Sequence, residues 1–295
     1  METMDTYPIK LNKDYYVVTA NDLIKGRQKM SLREAQLLYI TMSQIVKEDK
    51  SFKTYSVPVT SLATFMDTSA SNLYRDLEQI CTDLLKRVVR IQIKDSSDPQ
   101  ERKWKAFQWI SCASYDNGKF TIRLNDELEP FLIDLVSRYS QVLLGALCSF
   151  KSYYCSRLYQ LIVCEANENP HNSKEEWSFS CDYIRDFFQL EDNEYPRTYD
   201  LINKMFKPVL QELTDSDFAY VWNVEELRGP GRGNPIAGVK FNAAVFKGKE
   251  DKERFMRYLG FEPTIISNLR RKRAKQETID ENQITLDMDA DSQTV

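Results

Sequence analysis

Apolar positions along this chain recur at two periods, near 3.6 and at 2, and the changes between them mark out its elements. Over residues 31–46, Leu37, Leu38, Thr41, Met42 and Ile45 repeat at helical spacing, and Ser31 with Glu34 three residues later forms a capping box. An extended piece over 55–59 leads into a short helix over 60–66, and the small-polar stretch 67–71 reads as a turn. A longer helix over 72–87 places Leu73, Leu77, Ile80, Cys81, Leu84, Leu85 and Val88 on one side. The period then becomes two: Val89, Ile91 and Ile93 alternate with Arg90, Gln92 and Lys94, and after a loop rich in Asp, Ser and Pro two more strands flank Asp116-Asn117-Gly118. A helix over 125–138 follows.

The same order then recurs. A helix is predicted over 149–166, an extended piece over 177–180, a short helix over 181–188, a long helix over 196–213, and strands over 219–224 and 236–243. Within the short helices, Val59, Leu62, Phe65 and Met66 match Cys181, Ile184, Phe187 and Phe188 at an offset of 122. Along the long helices, Ile80, Leu84, Leu85 and Val88 match Met205, Val209, Leu210 and Leu213 at 125, which three extra residues in the second turn explain. Self-similarity in apolar register over such distances points to a repeated structural unit. The expected fold is α+β: two tandem pseudosymmetric winged-helix domains over 17–140 and 141–250, after an N-terminal extension of 1–16 and before a basic then acidic tail of 251–295.

Charge alters this picture in one respect. The net charge of −4 would argue against an anionic partner, but the last twenty residues hold six acids and no Lys or Arg, so residues 1–275 carry +2. Directly before that tail stand Arg270, Arg271, Lys272, Arg273 and Lys275, a cluster that suits either phosphate or partner contact or a solvated helix end. The six cysteines include no CxxC pair and read as buried free thiols. One histidine, His171, lies in a polar stretch, leaving little room for zinc-finger, paired-histidine nuclease or Ser-His-Asp chemistry. Neither catalytic residues, metal nor cofactor is expected. The N-terminal stretch lacks the pattern of a signal peptide and no apolar run approaches the roughly 18 residues of a membrane span, so the expected location is the cytoplasm, with no membrane partner.

In a winged helix the second helix of the helix-turn-helix enters the major groove and the hairpin grips backbone or minor groove. Off the apolar stripe of the second long helix stand Arg197, Asp200, Asn203, Lys204, Lys207 and Gln211; on the first stand Asn72, Arg75, Gln79, Asp83 and Lys86, diluted by Asp76 and Glu78. Cations mixed with amides suit phosphate contact and base-edge readout alike, and they also suit an ordinary solvated face. Arg228 and Arg232 on the Gly/Pro-rich tip 227–235 can approach a groove closely, or simply decorate a flexible hairpin. Arg157, among the tyrosines of a mainly architectural helix, is that helix's one expected DNA contact. Pro208 predicts a bend in the second long helix.

Three stretches carry a family resemblance. Asn21-Asp22-Leu23-Ile24 with Ser31-Leu32-Arg33-Glu34 resembles an N-x-L-I entry followed by a first helix opening L-[ST]-x-x-E. The run from Phe150 to Leu161 resembles a K-S-x-Y-x-x-R-L-Y-E-L helix, and Met205-Phe206-Lys207-Pro208-Val209 with Glu212-Leu213 resembles V-L-x-P-A-x-x-E-I. All three are similar to segments of the replication initiator (Rep) proteins of iteron-bearing, theta-replicating plasmids, with Gln160 in place of an acid and Thr214 in place of Asn. The resemblance implies two winged helices reading parts of a direct repeat in double-stranded DNA. It further implies monomers that help melt an adjacent A·T-rich stretch and load host replication factors, and a homodimer that represses its own gene. A winged-helix transcription regulator and a metal-dependent nicking enzyme are the competing readings.

Overall fold

The computed structural model describes residues 6–93, 103–168, 175–230 and 233–258. His171, Arg232, the basic cluster at 270–275 and the acidic tail lie outside them. Two compact units form, one reaching to Val245 and one beginning at Phe246.

In the first unit β1 (Thr6–Pro8), β2 (Tyr16–Ala20) and a single helical turn, α1 (Asn21–Ile24), precede α2 (Leu32–Met42). The capping box is present at Ser31: its hydroxyl accepts from the Glu34 amide while the Glu34 carboxylate accepts from the Ser31 amide at 2.5 Å. That carboxylate is buried and also takes Arg87 at 3.1 Å, so an N-terminal signal of α2 doubles as a tertiary tie. Next come β3 (Thr54–Pro58), α3 (Val59–Phe65), α4 (Ala70–Lys86), β4 (Val88–Ile93), β5 (Lys103–Gln108), β6 (Ile110–Asp116) and β7 (Lys119–Leu124). Asn117 and Gly118, both at positive φ (47° and 80°), close the β6–β7 hairpin as an Asn-Gly turn should.

Two expectations change here. Four strands stand where the alternation suggested three, because β5 pairs with β4 in a separate two-stranded sheet while β6 and β7 join β3 in the order β1-β3-β7-β6. Nor does a helix run over 125–138. One 3-10 turn (Asp126–Leu128) and α5 (Glu129–Leu132) bury Leu128 and Leu132, after which Asp134 and Arg138 at φ 53° and 54° turn the chain back. It returns as β8 (Tyr139–Leu143), antiparallel to β2, with Ser140 and Val142 buried.

The remaining elements are α6 (Leu144–Ser149), α7 (Tyr153–Glu168), β9 (Glu176–Ser180), α8 (Cys181–Phe188), α9 (Thr198–Asp200), a π turn (Leu201–Phe206), α10 (Lys207–Asp215), β10 (Ala219–Arg228) and β11 (Ile236–Val245). The helix predicted over 149–166 is α7, which begins four residues later: the Glu212 carboxylate accepts the Lys151 and Ser152 amides and fixes the break between α6 and α7. Strands β10, β11 and β9 form a sheet in the order β10-β11-β9, antiparallel throughout, as β6, β7 and β3 do. The close approach of β11 to β9 requires Gly238, where a Cβ would stand 2.3 Å from the Phe179 carbonyl oxygen. In the second unit α11 (Lys249–Tyr258) is the described element, with Phe246 packed on Phe255.

Candidate nucleic-acid interface

α4 is an uninterrupted helix because its apolar stripe, Leu73, Leu77 and Leu84 with Ile80, Cys81 and Leu85 half-buried, follows helical spacing, and the Ser69 hydroxyl caps its start by accepting from the Asn72 amide. Val88, placed on that stripe by the sequence, is instead exposed as the first residue of β4. The outward face is paired off locally. Arg75 meets the neighbouring Asp76 at 2.7 Å, Gln79 donates to Asp83 at 2.8 Å, and Lys86 stands 3.6 Å from the same Asp83. Both carboxyls are held below their usual range, Asp76 by its hydrogen bond from Arg75 and Asp83 by that from Gln79.

The second long helix differs in its winding. Its buried residues step by four, Leu201, Met205, Val209, Leu213 and Ile202, Phe206, Leu210. In a regular α-helix such a row drifts by about 40° per step. The wider π turn over Leu201–Phe206 absorbs the drift and keeps all seven against the core. Pro208, at the start of α10, has no N–H for the Lys204 carbonyl and its ring would collide with it in a regular helix. The irregularity expected at the proline therefore lies in the turn before it.

On this scaffold four candidate cations are gathered around two carboxylates. Arg197 Nε stands 2.7 Å from Asp200 Oδ2, and Lys204 Nζ 2.8 Å from Asp200 Oδ1. Lys207 Nζ stands 2.7 Å from Glu226 Oε1, and an Arg228 terminal nitrogen 2.5 Å from Glu226 Oε2. Lys207 also donates to Asn203 Oδ1 at 2.8 Å, and Asn203 donates to the Tyr199 carbonyl. Hydrogen bonds from Lys204 and Arg197 hold the Asp200 carboxyl below its ordinary range, and that from Lys207 does the same for Glu226. Arg197 and Lys204 keep most of their side-chain surface in solvent, at 77% and 63%, whereas Asp200 keeps 10%. Asp200, expected on the outward face, thus sits beneath its cations. Glu226 escaped the sequence reading altogether: it is nineteen residues from Lys207 and only the return of β10 along the helix joins them.

Arg157 requires a correction. It is 1% exposed, donates to the carbonyls of Ile24 at 2.9 Å and Gly26 at 2.8 Å, and lies over the Phe187 ring at 4.5 Å from the centroid. Capping the end of α1 from inside the molecule, it cannot reach a phosphate in this fold. Another basic region went unnoticed: a cleft of about 500 Å³ lined by Lys25, Arg27, Arg90 and Arg138 with Trp104, whose ring lies under the Arg90 guanidinium. Its charge is partly balanced, Arg27 by Asp186 at 2.7 Å and Arg138 by Asp22 at 3.4 Å. Among the described residues no group of His, Cys, Asp and Glu could hold a metal ion, and no helix is long and apolar enough to cross a membrane.

Comparison with known proteins bears on this geometry. The chain is 24% identical over 201 residues to a replication initiation protein of Escherichia coli, a match covering 67% of this chain and 61% of that relative, so the chain spans about three fifths of its length. The Pi initiator protein, solved in complex with iteron DNA, superimposes with a TM-score of 0.59 at 18% identity, covering 80% of this chain and 99% of the other. The family model described as Initiator Replication protein, WH1, matches residues 16–163, half of the sequence. The two-carboxylate basic face and the strand-paired core beneath it therefore stand in a chain that belongs to the Initiator Replication protein family.

Proposed function

We propose that this protein initiates plasmid replication by binding direct repeats in double-stranded origin DNA, and that it represses its own gene by the same means. The observation that carries the reading is the face of the second long helix, where Arg197, Lys204, Lys207 and Arg228 outnumber Asp200 and Glu226 and leave a net charge of +2 beside the amide of Asn203. Family membership and the fold shared with an initiator captured on iteron DNA support it.

The repeated order of helix, strand, short helix, long helix and hairpin, with sheets β3-β7-β6 and β9-β11-β10, supports two tandem pseudosymmetric winged helices. In that arrangement α4 and the helix from α9 to α10 are the two recognition helices, with the hairpins β6–β7 and β10–β11 as wings. The protein acts in the cytoplasm by binding and not by catalysis. Burial pushes the thiols of Cys81, Cys148 and Cys164 up to about 12, far from the thiolate state a cysteine nucleophile needs. Host replication factors and a second copy of the chain are its further partners.

Selection from a pool of random duplexes, followed by footprinting on the DNA flanking the gene, tests this. An array of direct repeats is the expected result. Enrichment of a single inverted pair of half-sites would favour a transcription regulator, and nicking of supercoiled DNA in magnesium would establish an enzyme.

A further inference from the structure

Asp200 and Glu226 are costly residues to place on a surface meant for phosphates, since like charge repels the backbone and each occupies donors a phosphate would use. Each nevertheless spends both oxygens on two different cations at 2.5–2.8 Å, and both side chains are mostly buried. Asp200 takes both of its cations from its own helix and Glu226 takes Arg228 from its own strand, and the tertiary fold adds the contact of Lys207 on the helix with Glu226 on β10. We infer that Asp200 and Glu226 are specificity-determining positioning residues that hold the four cations in register and suppress binding to DNA of the wrong sequence. This rests on the double-stranded DNA reading above.

The reasoning is electrostatic and geometric. Non-specific affinity follows the number of phosphates neutralised, and a cation already engaged by a carboxylate contributes less to it. Specific binding gains instead from pre-organisation. Held through Nε by Asp200, Arg197 leaves its terminal amino groups for the bidentate fork that fits a guanine edge, and Lys207, braced by Asn203 and Glu226, is spared ordering on binding. A face carrying +4 would grip any duplex; the same face at +2, with its donors aimed, discriminates.

The test compares full-length protein with Asp200→Asn and Glu226→Gln on two duplexes: the sequence enriched by the unaltered protein, and a scrambled one of equal length. Each neutral variant should bind the scrambled duplex about eightfold more tightly at 0.1 M salt for each cation released to phosphate, with a salt dependence steeper by about 0.9 per phosphate engaged. Affinity for the enriched sequence should change less, so the ratio between the two falls. Asp200→Glu and Glu226→Asp retain the charge and should restore most of the ratio, which a purely structural role would not do. Equal weakening on both duplexes, or an unchanged ratio, overturns the inference. Loss confined to one cytosine position also overturns it, by assigning the carboxylate to a base edge. Should the unaltered protein enrich no duplex at all, the DNA reading itself fails, an outcome distinct from all of these.

Discussion

α4 runs seventeen residues without a break from a Ser69 cap, whereas the helix from Thr198 to Asp215 starts without a side-chain cap, widens through a π turn and resumes at Pro208. The first keeps its charges in local pairs, Arg75 with Asp76 and Lys86 with Asp83. The second sends Lys207 to a carboxylate on a neighbouring strand. Local pairing leaves the first face, Arg75 and Lys86 against Asp76, Glu78 and Asp83, with a net −1; gathering four cations around two acids leaves the second at +2. A regular helix suffices to present residues. A helix seated by every fourth side chain is fixed in the core and can hold partners from another element in register.

The largest expected effect tests that seating. At the 125-residue offset Phe206, fully buried, matches Cys81, half-buried. Phe206→Ala should cost about 3–5 kcal/mol, whereas Cys81→Ala should cost less than about 1 kcal/mol. Denaturant unfolding of both variants reads the difference, and equal losses would remove the distinction.

Next in size is the contrast in DNA affinity. Replacing Lys204 or Lys207 by Ala should weaken duplex binding about eightfold at 0.1 M salt for each phosphate left without its cation, and flatten the salt slope by about one. Arg75→Ala and Lys86→Ala should do less, because their face repels the backbone overall. Titrations at several salt concentrations check this, and matching losses on both helices would mean that net charge does not rank the faces.

Capping gives a smaller signal. Ser69→Ala removes the acceptor for the Asn72 amide and should cost about 1 kcal/mol. Arg197→Ala, at the start of the other helix, makes no such bond and should leave stability nearly unchanged.

The smallest effect is in acid. Asp76, Asp83, Asp200 and Glu226 all have carboxyls held below their ordinary values of 3.8 or 4.5 in the folded state. A depressed folded value contributes stability that is present above the unfolded value and lost as pH falls through the folded one. Carboxyl NMR titration should find all four midpoints below those ordinary values. Asp200→Asn should remove part of the acid-dependent loss from the second helix and none from α4. Should Asp200 titrate at or above 3.8, its pair of cations would not be engaged in solution.

Much of this was legible in the residues. The Ser31-Glu34 box, the Asn117-Gly118 turn and the limits of α8 depend on neighbours three or four positions away, which a linear pattern records. The nature of the second face was also legible, since Asn203, Lys204 and Lys207 lie between buried positions spaced four apart and Arg197 stands just ahead of them. The helix expected over 125–138 stops at Leu132 because two left-handed residues, Asp134 and Arg138, turn the chain back into β8, whose partner, β2, lies more than a hundred residues earlier.

Local sequence, then, settled which stretches are helix or strand for most of the chain and which side chains a long helix turns outward, because hydrophobic period and capping are short-range physics. Three-dimensional packing decided which charges are buried and which meet a partner from another element, whereas pairs such as Arg75 with Asp76 and Lys204 with Asp200 are local. Arg157 looks as available as Arg197 along the sequence, yet one lies beneath α1 on two carbonyls and a ring, and the other stands in solvent above Asp200. Glu226 becomes the partner of Lys207 only when β10 folds back along the helix. A charge takes its role from whatever the fold brings within hydrogen-bonding distance of it, and a one-dimensional pattern does not carry that distance.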